Sequence, residues 1–324
     1  MKKIILAAMA LAALAACSKE ATVDVDRTAI AFGQAFVDNS TKAATATATD
    51  PSYGNASSAK PLTSFKVYGA VEGVNIFDGN TVSKGDNAYE TDAWDFAAGT
   101  PTQYWVTGAD YIFDAVVDAT TVNTDANTGL PVSLTYQIAG QQDMLHDRVA
   151  TEGAADHGLV KFTFPHLLSK VKLTVKNSSA ADATNYRITI TDIALSDIYS
   201  EGDYVVASGT WNNLQDNGTY AINDMVIASN SREECAAEVL LIPDSDFGIS
   251  FNVNVQIQKG SDWQTLTTTE FSNENVGNLV ANHAYNLMAE YTIGGEIKFT
   301  AVEMDDWIYG ADADDDSDDV TNLQ

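Results

Sequence analysis

Apolar side chains in this chain recur at every second position in short runs, and that period commits the chain to β-structure. The clearest run spans residues 251–258: Phe251, Val253, Val255 and Ile257 fall on one face, and Asn252, Asn254, Gln256 and Gln258 on the other. Successive side chains of a strand point to opposite faces. One dry and one wet face is the pattern of an antiparallel sheet. Val171, Leu173 and Val175 alternate with Lys172, Thr174 and Lys176, and Ile188 and Ile190 with Arg187, Thr189 and Thr191. Earlier in the chain, Phe65, Val67 and Tyr68 open a series that continues at 104–106, 111–117 and 132–136, punctuated by Gly, Asn, Asp and Pro. Short strands between turn residues predict an all-β sandwich architecture. No stretch holds helical periodicity beyond about three turns.

The N-terminus carries a different signal. Lys2 and Lys3 precede an apolar run from Ile4 to Ala16, and Leu14-Ala15-Ala16-Cys17 reads as a lipobox. The run is shorter than the roughly 20 apolar residues that span a bilayer. It has the layout of a cleaved signal peptide, 1–16, with Cys17 as the new N-terminus and the carrier of lipid. Several acyl chains on one residue, palmitate among them, give stable anchoring. The expected location is outside the cytoplasm, tethered to a membrane.

Composition excludes several functions. The formal charge of −28 opposes binding to nucleic acid and to anionic membrane surfaces. With Cys17 lipidated, Cys235 has no partner for an intrachain disulfide, and it has no nearby His to activate it. His146, His157, His166 and His283 are scattered without zinc-ligand spacing. His166 beside Pro165 lacks a nucleophile motif and reads as a packed or partly exposed turn residue. Asp312, Asp314 and Asp316 have the spacing of a calcium loop, but Ser317 and Leu323 stand where Gly and Glu are needed, so a solvated acidic tail is expected. Trp94, Trp105, Trp211, Trp263 and Trp307 are spaced like core and edge residues rather than a glycan platform. No enzyme, metal or cofactor is predicted.

Two segments stand apart from the sandwich runs. In residues 29–37, Ile30, Phe32 and Phe36 share one face, and a polar, Ala/Thr/Ser-rich linker follows. In 296–304, Ile297 and Phe299 share one parity and Val302 and Met304 the other, which predicts a bulge or bend near Ala301. The expected layout is a tether, strand and linker over 17–60, sandwich domains over 61–155 and 156–310, and an acidic tail over 311–324.

The lipobox, IAFGQAF at 30–36, LTSFKVYGAVEG at 62–73, QQDML at 141–145, FTFPHLLSKVKLTVKN at 162–177 and GGEIKFTAVEMDDW at 294–307 together resemble the fimbrillin family of Bacteroides-type bacteria, subunits of protease-matured pili. The resemblance implies two transthyretin-like sandwiches in tandem, delivery of the lipoprotein to the outer membrane and assembly by donor-strand exchange. A trypsin-like protease would cut behind the first strand, releasing Ile30, Phe32 and Phe36, and a neighbour's Ile297, Phe299, Val302 and Met304 would fill the gap. The family's protease typically prefers arginine. Here the basic residue behind the strand is Lys42, before Ala43, whereas Arg27 precedes the strand. Implied partners are copies of this chain or other pilins, the processing protease, membrane lipid through Cys17, and a host or bacterial surface ligand. From the residues alone, both segments fit equally well as permanent strands of their own chain. A surface lipoprotein that does not polymerise, either a pilus anchor or an adhesin for a glycan or host ligand, is the alternative.

Overall fold

The computed structural model describes residues 28–33, 35–37, 62–84, 94–153, 158–178, 185–216, 218–228, 232–243, 247–292 and 294–304. The lipobox with Cys17, the Lys42–Ala43 bond and the acidic tail lie outside these residues, as do the side chains of Phe36, Cys235, Val302 and Met304. The chain is all-β. Among the described residues the one helical element is a 3-10 turn, Ile138–Gly140, and no helix is long and apolar enough to cross a membrane.

The first half forms β1 (Phe36–Val37), β2 (Ser64–Val71), β3 (Val74–Ser83), β4 (Asp95–Phe96), β5 (Asp110–Val117), β6 (Thr121–Thr124), β7 (Pro131–Gln137), β8 (Leu145–Glu152) and β9 (Thr163–Phe164). Strands β4-β3-β2-β5-β8 make one antiparallel sheet. Its central hairpin turns at Glu72 and Gly73, with φ of 47° and 76°. Two successive positive φ values match the twist of the flanking strands, and glycine accepts one of them without strain.

The second half forms β10 (Ser169–Asn177), β11 (Tyr186–Ser196), β12 (Tyr199–Val205), β13 (Thr210–Asp216), β14 (Thr219–Ile222), β15 (Met225–Ala228), β16 (Arg232–Leu241), β17 (Phe247–Lys259), β18 (Asp262–Gly277), β19 (Ala284–Tyr291) and β20 (Ile297–Met304). Sheet β16-β10-β19-β20 lies against sheet β14-β11-β17-β18, in which β15 also pairs with β11. Val171, Leu173, Leu287, Ile188, Val253 and Val255 fill the space between them. Strand β17 alternates buried and half-buried residues, as its sequence predicts.

Three features depart from the sequence pattern. Residues 104–106 are not a strand: Tyr104 makes a single bridge to Ala29. Strand β20 has no bulge at Ala301, because its pairing with β19 runs unbroken from Ile297–Tyr291 to Met304–Ala284. Ala301 therefore continues the partly buried face of Ile297 and Phe299. Strand β10 is buried on both faces, Lys170, Lys172 and Thr174 included. Burial pushes the Lys170 ammonium down in pKa, and Glu238 at 3.0 Å opposes that shift.

The halves share a sheet. Hairpin β12–β13 of the second half adds to β6–β7 of the first, in the order β13-β12-β7-β6, with Gly202 opposite Tyr136. Leu134 and Tyr136 of this sheet belong to one core with Tyr68 and Val116 of the first half and Ile242 of the second. The Tyr136 hydroxyl donates to the Leu240 carbonyl at 2.8 Å.

Candidate functional site

The first core is completed from the N-terminus. Residues 28–37 lie over the inner face of the β4-β3-β2-β5-β8 sheet, between two other segments of the chain. On one side the Ile30 amide donates to the Gln103 carbonyl (2.8 Å) and the Trp105 amide to the Thr28 carbonyl (3.1 Å). On the other the Gly33 amide donates to the Val160 carbonyl (2.8 Å) and the Val160 amide to the Ala31 carbonyl (2.9 Å). The Trp94 amide donates to the Phe32 carbonyl at 2.8 Å. Further along, β1 pairs with β9 in parallel, Phe36 opposite Thr163.

Side chains hold the segment as well. Phe32 is fully buried, its ring centroid 5.5 Å from Phe113, 5.7 Å from Phe96 and Phe162, 5.8 Å from Phe77 and 6.3 Å from Phe65. Four of these pairs are edge-on and one is stacked, arrangements that add to simple area burial. Ile30 is buried beside them. Burying the two side chains is worth about 3–6 kcal/mol at roughly 1.5–3 kcal/mol each, an upper bound. Residues 28–33 thus run between the 103–105 segment and Val160 in the layer that closes this core, and the groove beneath them is aromatic.

The groove wall is held by close backbone packing. Tyr111 accepts from the Val106 amide at 2.8 Å and donates to the Tyr104 carbonyl at 3.3 Å. Burial raises the Tyr111 pKa and the Val106 hydrogen bond lowers it less, so the phenol stays neutral. A Cβ on Gly153 would sit 2.2 Å from the Val106 carbonyl oxygen. Gly153→Ala should therefore displace the 103–109 segment and cost about 1–3 kcal/mol as overpacking. A urea titration reads this loss; an unchanged midpoint would show that the wall yields freely.

The second predicted segment, β20, is an edge strand of a sheet in the second half, paired with β19 alone. Ile297, Phe299 and Ala301 pack against the second core, with the Phe299 centroid 5.0 Å from Phe271. The structure does not bring the two predicted segments together. Ile30 and Phe32 lie in the first core, and Ile297 and Phe299 pack on the second.

Sequence reasoning missed the groove's far wall. Phe77, Phe96 and Phe113 come from β3, β4 and β5 and carry no local mark of a shared site. It also missed a buried ion cluster on the opposite face of the sheet. There Asp114, wholly buried, accepts from Arg148 Nε at 2.8 Å and Nη2 at 2.9 Å, and lies 2.7 Å from His146 Nε2. A lone aspartate inside the apolar run of β5 was the available signal. His166 is buried and hydrogen-bonded to Asp143 at 2.9 Å. Trp94 and Trp105 are core residues, Trp211 packs on Tyr204, Trp263 carries the Arg187 guanidinium at 4.5 Å, and Trp307 lies outside the described residues. Among the described residues no group of three or more His, Cys, Asp or Glu side chains is placed to hold a metal.

Most of the fold is similar to solved structures from Bacteroides species. A fimbrial protein from Bacteroides vulgatus matches at TM-score 0.54 and 11% identity, over 86% of this chain and 99% of that one. Candidate cell adhesion proteins from Bacteroides uniformis and Bacteroides ovatus both match at TM-score 0.52, with 16% and 15% identity. The first match covers 86% of this chain and 98% of the other, and the second 89% and 99%. At these identities the likeness is one of fold. A search of curated proteins finds no match. The family model described as fimbrillin-like matches residues 55–307, a span that includes β20 and leaves out the N-terminal strand. With most of its length matched, the chain belongs to the fimbrillin-like family.

Proposed function

We propose that the chain is a structural subunit of a cell-surface fimbria, contributing to adhesion, and not an enzyme. It is exported as an outer-membrane lipoprotein through Cys17. A protease cuts between Lys42 and Ala43, the strand carrying Ile30, Phe32 and Phe36 leaves, and β20 of another subunit takes the vacated seat. The units that assemble are tandem sandwich domains over 61–155 and 156–310, with copies of this chain or other pilins as partners and a surface ligand beyond them.

The observation that carries this reading is the seat of Phe32: a strand from the chain terminus, hydrogen-bonded on both sides, closes an aromatic core. Its removal would bare an apolar groove flanked by two unpaired edges, the arrangement that strand addition satisfies. The sequence of β20 supports the match, because Ile297-Lys298-Phe299 repeats the spacing of Ile30-Ala31-Phe32. Fimbrial and adhesion proteins among the fold relatives support the same class. The unbroken ladder between β19 and β20 favours a second reading, a subunit that keeps its own strand and serves as an anchor or monomeric adhesin.

Intact mass and N-terminal sequencing of the protein from the native cell surface separate these. The fimbrial reading expects a start at Ala43 and ladders of polymers on mild-detergent gels. A lipidated start at Cys17 in every molecule would contradict it and leave the anchor.

A further inference from the structure

Among the described residues, strand ladders are antiparallel with two exceptions. Strand β1 runs parallel to β9, and β10 runs parallel to β19 from Lys170–Ala284 to Asn177–Tyr291. The bridge Phe32–Val160 is parallel as well. All three involve one uninterrupted stretch, 160–177. Its first part holds the N-terminal strand and its second part is a central strand of the second sandwich.

We infer that this stretch is a tension-bearing connector, and that the fold resists pulling in shear at both ends of it while letting β20 peel. The inference rests on the fimbrial reading for its purpose and on topology for its mechanics. Tension from the N-terminal side draws the seated strand by its Thr28 end, and the connector holds Val160–Phe164 by its Phe164 end. Parallel strands pulled from opposite ends slide past each other, so their hydrogen bonds are stressed together. The same holds at the second pairing, where the connector pulls β10 at Lys170 and the chain leaving β19 pulls at Tyr291. All eight residue pairs of that ladder share the strain. The buried His166–Asp143 bond lies between the two shear zones.

Strand β20 is loaded differently. It pairs antiparallel with β19, to which it is joined by a tight turn closed by the Gly295 amide donating to the Thr292 carbonyl at 2.8 Å. A pull on Met304 opens the Met304–Ala284 pair first and proceeds pair by pair to Ile297–Tyr291. An edge strand with one neighbour and partly buried side chains has little else to hold it. The strand proposed for donation leaves easily, and a strand seated in the groove with the polarity of residues 28–37 is sheared, not peeled, by tension along the fibre.

Single-molecule pulling on the full chain, held by tags at its two ends, tests this. The expected first event is release of β20 at low force, lengthening the chain by about 3.5 Å per residue freed. Opening of the N-terminal strand and of β10–β19 should follow at several-fold higher force. Phe299→Ala should lower the first event and leave the later ones. In a second geometry a click handle at exposed Val280 replaces the C-terminal tag and loads β19 from the same end as β10. The β10–β19 ladder should then unzip at clearly lower force. Equal force in the two geometries, or departure of the N-terminal strand before β20, would overturn the inference. A chain that shears in this way yet starts at Cys17 on cells refutes the fimbrial reading and not the mechanics.

Discussion

Phe32→Ala is expected to destabilise the first half of the protein by about 3–5 kcal/mol, the cost of truncating a fully buried phenylalanine. The site cannot collapse around the loss, because Phe65, Phe77, Phe96, Phe113 and Phe162 are fixed on five different segments of chain. The second core does not include Phe32, so the effect should be local. Hydrogen exchange should speed up at the Trp105 and Val160 amides, which bond to the strand, while the β17–β18 ladder keeps its protection. A loss below about 1 kcal/mol, within the range of ordinary surface changes and mild truncations, would show that residues 28–37 do not hold this core.

Asp114→Ala is the second large effect. It removes the one carboxylate that serves both His146 and Arg148 beneath the shared sheet, where the His146 ring lies 6.3 Å from Tyr204 of β12. Breaking a buried pair by removing one partner costs about 3–5 kcal/mol. Arg148 is 35% exposed and can turn toward water, so the lower end, about 3 kcal/mol, is expected. Asp114→Asn, which keeps the shape and an acceptor, should cost less. Urea unfolding of the two variants checks the order. Equal loss in both would mean that charge alone matters, and no loss in either would mean that the cluster does not stabilise the contact between the halves.

What the sequence made legible was local. The alternation at 251–258 became β17 with the expected wet and dry faces, and Ile30 and Phe32 share a buried face because each lies two residues from the next. What it hid was long-range. Nothing near Gly202 announces that it will lie opposite Tyr136, yet that register joins the halves. The pattern at 171–176 reads as half wet, but β10 is central in its sheet and pairs with β16 and β19, so its lysines are covered. Val302 and Met304 read as a change of phase at Ala301, but the unbroken ladder with β19 keeps Ala301 on the face of Phe299. The rings around Phe32 come from strands far apart in sequence, so the groove becomes visible only once the sheet is assembled.

In the proposed fimbria, Phe299 of one subunit would occupy the place that Phe32 holds in the single chain. Benzoylphenylalanine at position 299 replaces one aromatic by another and crosslinks on illumination. In polymers taken from the cell surface, the account predicts crosslinks between subunits, at peptides bearing Phe65, Phe113 or Phe162. Crosslinks confined to the same chain, at Phe271, would contradict it.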